Sequence, residues 1–473
     1  MDPNQPRQIG PRMTLSHASG HRISALPSSA TLGAGPEALP PLPFSLFTPA
    51  EPPVELDVRP LPGATLGGPQ EPYATLEYRP EEEAVYVALE QIMLPGGVLY
   101  NLHLPSAPSA SATLSGSDAG VVRFELRPLR PPPGPPGPSG ATLGLDDLVG
   151  SVIGDLVGKR VLVLLKSPIE RGLLAALARA EGAPTALALR DTLVPLEGAE
   201  GWRTLLPPGA ERRALLFLHG LASDTANGGG AELLPHLAAG YDALLGYNHP
   251  TLTQDPLANA RDLLARIPDD VQLALDVVAH SRGGLVARCL AELAERRPNI
   301  RVRTLITCGT PHAGTKLANT AYWDQLISIG MTAATGLAAV SGVAILLPKV
   351  LEYLLKAAAQ GILALPGIGA LAPGSDLVKQ LDSGDPARGA ERYITVASNC
   401  TIFQPGLNLA EGLRSLAAQA FFDAPNDLVV QTSSMLASSR FPAEGQRRIS
   451  GDHFSYFSDE ADRELLRAAL AGK

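Results

Sequence analysis

The residues best able to do chemistry lie together in Leu273-Ala274-Leu275-Asp276-Val277-Val278-Ala279-His280-Ser281-Arg282-Gly283-Gly284. An apolar run that reads as a strand ends at a serine, and Val286, Cys289, Leu290 and Leu293 then give the i, i+3, i+4, i+7 face of a helix. A sharp strand-to-helix turn lifts a serine Oγ off a sheet. Small residues two before and two after it, here Ala279 and Gly283, relieve the backbone crowding of such a bend. The new helix aims unpaired N–H groups at the serine, so the Arg282 N–H can face negative charge developing on a substrate oxygen. A serine beside glycine at a helix start is equally an ordinary N-cap. A nucleophile reading therefore needs a base for the proton and an anion that fixes the imidazole tautomer.

Nine histidines limit the base. His17 and His21 fall in an N-terminal arm and His103 in a β-rich region, while His219, His249, His280 and His312 sit in loops after strands, where positioning roles compete with catalysis. A second informative run, Arg213-Ala214-Leu215-Leu216-Phe217-Leu218-His219-Gly220-Leu221, reads as a buried strand that stops at His-Gly about 60 residues before the serine.

With these motifs the chain from about 210 to 460 resembles a lipase or esterase of the α/β-hydrolase family. The resemblance implies an α/β fold with a helical lid insertion, here preceded by a small β-rich domain. It implies that the N–H of Leu221, after His-Gly, forms half of an oxyanion hole, with Arg282 supplying the other half and Gly220 allowing close approach. It also implies the chain order serine, acid, histidine. Ser281 is then the nucleophile and His453, in the late loop Ile449-Ser450-Gly451-Asp452-His453-Phe454-Ser455-Tyr456-Phe457, the base. Asp427, in Asn426-Asp427-Leu428-Val429-Val430, is the acid; Asp423 is its nearest rival and Asp452 ranks behind both. Cys308-Gly309-Thr310-Pro311-His312-Ala313-Gly314-Thr315 resembles the Gly-Thr-Pro-His segment that borders the site in lipase-like proteins. His219, Gly220, His280, Gly283, Thr310 and His312 are expected to support the pocket.

No metal or organic cofactor is expected. No second His or acidic residue sits at ligand spacing around His312, and the chain has neither a Gly-rich phosphate loop with its Lys nor a dinucleotide fingerprint.

The elements that must carry these residues show as an alternation of strands and helices from Val161 to Leu165 onward, through Leu173 to Ala180, Ala214 to Leu218, Ala243 to Tyr247, Leu273 to Val278, Val302 to Thr307 and Ile394 to Ala397, with a terminal helix from Glu460 to Leu470. Such alternation predicts a mainly parallel sheet covered by helices. Between Asp324 and Lys349 there is no charge for 24 residues, and Ala357 to Ser375 is a second uncharged stretch. Gly, Ala, Ser and Thr dilute both stretches, and both lie between nucleophile and acid. They read as lid or buried helices at about 318–375 that roof an acyl-binding wall, with peripheral lipid contact through 325–375 as a lesser reading. Leu371-Ala372-Pro373-Gly374-Ser375-Asp376-Leu377 resembles the lipase-like segment that closes such an insertion. Hydrophobic acyl esters are the expected substrates.

Upstream, residues 1–54 lack sustained periodicity and read as an irregular arm, and 55–130 as a β-rich accessory domain of sandwich type. Pro131 to Pro138 marks a linker over 131–140 before the hydrolase domain at 141–473. Ala-Thr-Leu-Gly recurs at 30–33, 64–67 and 141–144, too irregularly for a solenoid. The net charge of -9 offers no global attraction to nucleic acid or anionic lipid. Cys289, Cys308 and Cys400 are too scattered for a disulfide framework. The N-terminus lacks the apolar stretch of a signal peptide, so a cytoplasmic location is expected. Two alternatives stay open: an acyltransferase using the same triad, and a catalytically silent scaffold that acts through a protein partner of the N-terminal domain.

Overall fold

The computed structural model describes residues 5–17, 21–27, 45–60, 72–94, 97–106, 120–127, 159–319, 322–324, 327–328, 331, 348–362, 364–383, 389–399 and 425–472. The linker at 131–140, the tetrapeptide repeats, Cys400, Asp423 and residues 332–347 of the apolar insertion lie outside the described residues.

The N-terminal part contains β1 (Arg7–Gln8), β2 (Met13–His17), β3 (His21–Pro27), β4 (Thr48–Pro49), β5 (Val54–Pro60), β6 (Ala74–Tyr78), β7 (Ala84–Leu94), β8 (Gly97–His103), β9 (Val122–Leu126) and β10 (Lys159–Pro168). One sheet has the order β1-β2-β6-β9; the other runs β3-β5-β10-β7-β8, with β4 paired to β10. Met13 and Leu15 of β2, Leu76 of β6 and Phe124 of β9 pack against Leu56 of β5, Tyr86 of β7 and Leu164 of β10 in one core, so the two sheets form a sandwich. Buried at one end, Glu90 accepts from Tyr73 and Asn101 and pairs with His103 and Arg160. Burial pushes its carboxyl up, but Arg160 and His103 overcome this and hold it at about 2.

Two expectations fail here. Residues 1–54 are not an irregular arm, because β1 to β4 and the start of β5 fall within them. In β2 alternate residues are buried, but the period-2 signal spans only five residues between Gly and Pro clusters. Val161 to Leu165 does not open the α/β unit either: β10 pairs antiparallel with β5 and β7 of the sandwich. Leu162 and Leu164 face the sandwich core, whereas Val161, Val163 and Leu165 join the core of the following unit. A strand buried on both faces reads as a continuous apolar run whichever sheet it enters.

That second unit holds β11 (Thr185–Leu189), β12 (Leu193–Pro195), β13 (Arg212–Leu218), β14 (Ala243–Asn248), β15 (Leu273–His280), β16 (Ile300–Cys308), β17 (Arg392–Asn399) and β18 (Gln446–Ser450) in the order β12-β11-β14-β13-β15-β16-β17-β18. The six strands from β14 to β18 are parallel, and β11 runs antiparallel to β14 and β12. Helices Leu173–Glu181, Pro256–Arg266, Arg282–Ala294 and Glu460–Leu470 cover the sheet. This is an α/β-hydrolase fold with helical insertions. β15 at its centre is buried at every residue, so its carboxyl end is a rigid platform for whatever follows, and Ser281 follows.

Candidate active site

Ser281 sits between β15 and the helix Arg282–Ala294 with φ 54° and ψ −126°. A non-glycine residue held there costs about 1–3 kcal/mol, which the surroundings must supply. They do so at several points. The Ser281 N–H donates to Cys308 O at 2.8 Å, and the Gly284 N–H closes the turn onto Ser281 O at 3.0 Å. Gly283 is required by space, since a Cβ there would lie 2.4 Å from Leu218 O and 2.6 Å from His219 O. Ala279 is tolerated because it points into the sheet core, fully buried.

His453 approaches from the loop after β18. Its Nε2 is 2.8 Å from Ser281 Oγ and its Nδ1 is 2.7 Å from Asp427 Oδ2. A carboxylate only accepts, so the proton lies on Nδ1 and the Nε2 lone pair faces the serine hydroxyl. Asp427 is fully buried. Its Oδ1 accepts the N–H of Val430 at 2.8 Å and of Val429 at 3.2 Å, and its Oδ2 also accepts the Tyr456 hydroxyl at 3.0 Å. Burial and the Asp427 charge push the Tyr456 phenol well above its ordinary range, which keeps it a donor. The acid and base loops are tied directly as well, by the His453 N–H on Asp427 O at 2.7 Å. Of the rival acids, Asp452 turns away and caps the Phe454 N–H at 2.8 Å.

The residues expected to support the pocket divide into three groups. Gly220 lies against the nucleophile: a Cβ there would come 3.1 Å from Ser281 Cβ and 3.6 Å from Ser281 Oγ, which places the Leu221 backbone beside the serine. His280 donates from Nε2 to His453 O at 2.8 Å and so couples the serine strand to the base loop. His219, Thr310 and His312 are fully buried and do not line the cavity. His219 donates from Nδ1 to Gly220 O at 3.0 Å and accepts the His249 N–H at 3.1 Å, which shapes the loop that carries Leu221. His312 accepts from Arg288 at Nδ1 and reaches Thr307 Oγ1 at 3.0 Å. The Cys308-to-Thr315 segment borders the cavity through Pro311 and Thr315, and Thr315 Oγ1 also donates to Val429 O of the acid loop at 2.7 Å.

Sequence reasoning missed Tyr456, although its Phe-Ser-Tyr-Phe context follows the base immediately. It also missed the Arg282 side chain. That guanidinium is fully buried and donates to Asn259 Oδ1 at 2.9 Å, to Gln254 O, and to Gly367 O at 3.4 Å. It thereby pins the first residue of the helix, whose N–H has no intrahelical acceptor, to the loop below the insertion. Burial pulls its pKa down to about 10.

A cavity lies over the serine. Its floor includes Ser281, His453, Gly220 and Leu221, and its walls are Leu317, Leu351, Leu354, Ile368, Leu371 and Val430. Among the described residues no Asp, Glu, Lys or Arg lines it. Within the insertion, the helix Pro348–Ala359 and the turn Pro366–Gly369 pack inward with Leu351, Leu354 and Ile368 buried. Among the described residues no helix is long and apolar enough to cross a membrane, and no cluster of three or more His, Cys, Asp and Glu could hold a metal ion.

Over residues 184–471, more than half its length, the chain matches the family model described as a domain of unknown function, DUF7379. The chain belongs to that family. Among curated proteins none matches this DUF7379 member. Similar solved structures include a Bacillus licheniformis lipase in its mature form, 18% identical over 61% of this chain and 98% of that one, with a TM-score of 0.36. Lipase 1 from Pelosinus fermentans is 15% identical over 56% of this chain and 98% of that one, with a TM-score of 0.40. The Legionella pneumophila phospholipase PlaB is 17% identical over 48% of this chain and 45% of that one, with a TM-score of 0.32. At such scores these likenesses carry no argument about chemistry; the strand order and the Ser–His–Asp geometry do. The DUF7379 member has an α/β-hydrolase fold and the Ser–His–Asp arrangement of a serine hydrolase.

Four buried histidines around the site give a first expected outcome. Burial pulls His219 down to about 4; burial, aided by His453, pulls His280 down to about 3; and burial drives His249 and His312 well below the ordinary 6.5. On unfolding, each regains its ordinary affinity and binds a proton below about pH 6.5. Stability from these groups is therefore fully present above about pH 6.5 and falls as pH drops toward 4. The urea midpoint should decrease steadily from about pH 7 to about pH 5. A midpoint that does not move over that interval would contradict the buried, neutral state of these rings.

Proposed function

We propose that this DUF7379 member hydrolyses uncharged carboxylic esters with hydrophobic acyl groups, with Ser281 as nucleophile, His453 as base and Asp427 as its orienting anion. The observation that carries the reading is the continuous chain of two short hydrogen bonds, Ser281 to His453 to Asp427, opening onto a cavity with no charged residue among its described walls.

In the first half-reaction His453 Nε2 takes the Ser281 proton as Oγ forms its bond to the ester carbonyl carbon. The carbonyl oxygen becomes an oxyanion next to the N–H groups of Leu221 and Arg282, each worth about 3 kcal/mol in such a role. Asp427 stabilises the imidazolium, which returns the proton to the departing alkoxide as the C–O bond breaks. Water then enters, loses its proton to His453, and attacks the acyl-enzyme; collapse releases the acid and restores the serine O–H. The strained serine backbone keeps Oγ raised toward both donors throughout.

The test is a series of p-nitrophenyl esters of rising acyl length. With apolar walls, each buried methylene contributes about 0.8 kcal/mol, or about fourfold in kcat/KM, until the cavity is filled. An acyl chain ending in a carboxylate should fall at least about 100-fold below its neutral counterpart, because no cation meets the buried charge. A profile that declines from acetate onward, or a preference for the anionic acyl group, would overturn the substrate assignment.

A further inference from the structure

We infer that the N-terminal sandwich sets the acyl wall of the active site through Glu352, a positioning residue that straps the lid helix to the chain entering β4. The inference deepens the esterase reading and rests on it for its kinetic consequence.

The helix Pro348–Ala359 places Leu351 and Leu354, one turn apart, in the wall of the cavity above Ser281. Glu352 is turned about 100° from Leu351 around the same helix and is 2% exposed. Its carboxylate accepts from the N–H groups of Ser45 and Leu46 and from Ser45 Oγ, the last at 3.2 Å. A buried carboxylate is costly unless its oxygens are hydrogen-bonded, so these donors decide where the helix rests. They come from a segment more than 300 positions away in the chain. Phe47, next to them, is buried in the core that also holds Leu351 and Leu354, and β4 is fixed in the sandwich by its pairing with Lys166 and Leu165 of β10. A second tie runs the same way: Ser328 Oγ of the insertion accepts the Leu102 N–H of β8 at 3.0 Å.

In β7, Ala84, Tyr86 and Ala88 face the sandwich core while Val85, Val87 and Leu89 join the core that holds Leu351 and Leu354, so with the strap the sandwich has two tasks, a core of its own and a bracket for the lid. Because the strap grips the helix at Glu352 and makes no contact with Ser281, His453 or Asp427 among the described hydrogen bonds, its loss moves the acyl wall without touching the triad. The substrate consequence is selective. A short acyl group ends before Leu351 and Leu354, whereas a long one needs them held in place beforehand.

Three variants of the full chain test this. Glu352→Ala removes the acceptor; Ser45→Pro removes the Ser45 N–H and hydroxyl from an exposed position outside the hydrolase unit. Glu352→Gln keeps an oxygen for both N–H groups. In Glu352→Ala and Ser45→Pro, KM for a decanoyl ester is expected to rise about tenfold, the scale of a lost hydrophobic pocket contact. For an acetyl ester kcat/KM should stay within about twofold, and Glu352→Gln should restore the decanoyl value. Should Glu352→Ala fail to fold, Ser45→Pro carries the test. Equal losses for both esters, or an unchanged decanoyl KM in Ser45→Pro, would overturn the proposal. Amide exchange over 348–359 gives a reading independent of any ester: it should quicken in Ser45→Pro, and unchanged exchange would overturn the strap. A wild-type Ser281 that neither an ester nor a fluorophosphonate modifies would instead end the esterase reading alone.

Discussion

Ser281→Ala is expected to lower kcat/KM for a hydrophobic acyl ester by about four to six orders of magnitude, because residues of such a triad act as a unit and the oxyanion donors alone retain only residual catalysis. The folded state should survive the change. Ser281 Oγ makes one hydrogen bond, to His453, and leaving that imidazole nitrogen unpaired costs about 1–2 kcal/mol, a small part of the stability of a chain with three extended apolar cores. Steady-state hydrolysis and a urea melt of the same preparation check both halves. Turnover within about tenfold of the parent, with the fold intact, would mean that another group attacks the ester.

Asp427→Asn should cost about four orders of magnitude in kcat, and the reason is geometric. The N–H groups of Val429 and Val430 both donate to Oδ1, so that position must remain an oxygen in the variant. The new NH₂ then occupies the Oδ2 position and faces His453 Nδ1 from 2.7 Å. Two donors cannot share that contact, so the imidazole carries its proton on Nε2 instead and offers Ser281 no lone pair. The Tyr456 hydroxyl, which donates to Oδ2 at 3.0 Å, can rotate to accept from the amide, which stabilises the inactive tautomer. Kinetics with one activated ester across pH check the outcome. A loss of less than about tenfold would show that Asp427 does not set the tautomer.

Much of this site could be read before folding because its signals are local. The switch from an apolar strand to a 3.6-period helix at Ser281 announces the turn, and Gly283 announces the space that Leu218 O and His219 O leave for it. The order of Ser281, Asp427 and His453 follows from the family resemblance, and the structure brings the three together. Signals that depend on a distant partner stayed hidden. Tyr456 looks like one more aromatic until Asp427 lies beside it. His312, at a loop after a strand, has the local context of a pocket residue, yet Arg288 and Thr307 hold it beneath the site. The run Val161 to Leu165 carries no mark of which sheet it will join, because both of its faces are buried. β2 was obscured for the opposite reason: five residues of alternation are too few to stand out among Gly and Pro.

Glu352 belongs to a third class, a charged residue whose hydrogen-bond donors lie more than 300 positions away in the chain. In the fold it is a contact by which the N-terminal sandwich reaches the acyl wall.

The central claim is that the Ser281 hydroxyl, held 2.8 Å from His453, is an activated nucleophile. Treating the intact protein with a fluorophosphonate and mapping the adduct by peptide mass spectrometry tests it without choosing a substrate. The expected result is a single stoichiometric adduct on Ser281 that is lost in both His453→Ala and the unfolded chain; an unmodified Ser281, or an adduct formed equally well without His453, would contradict it.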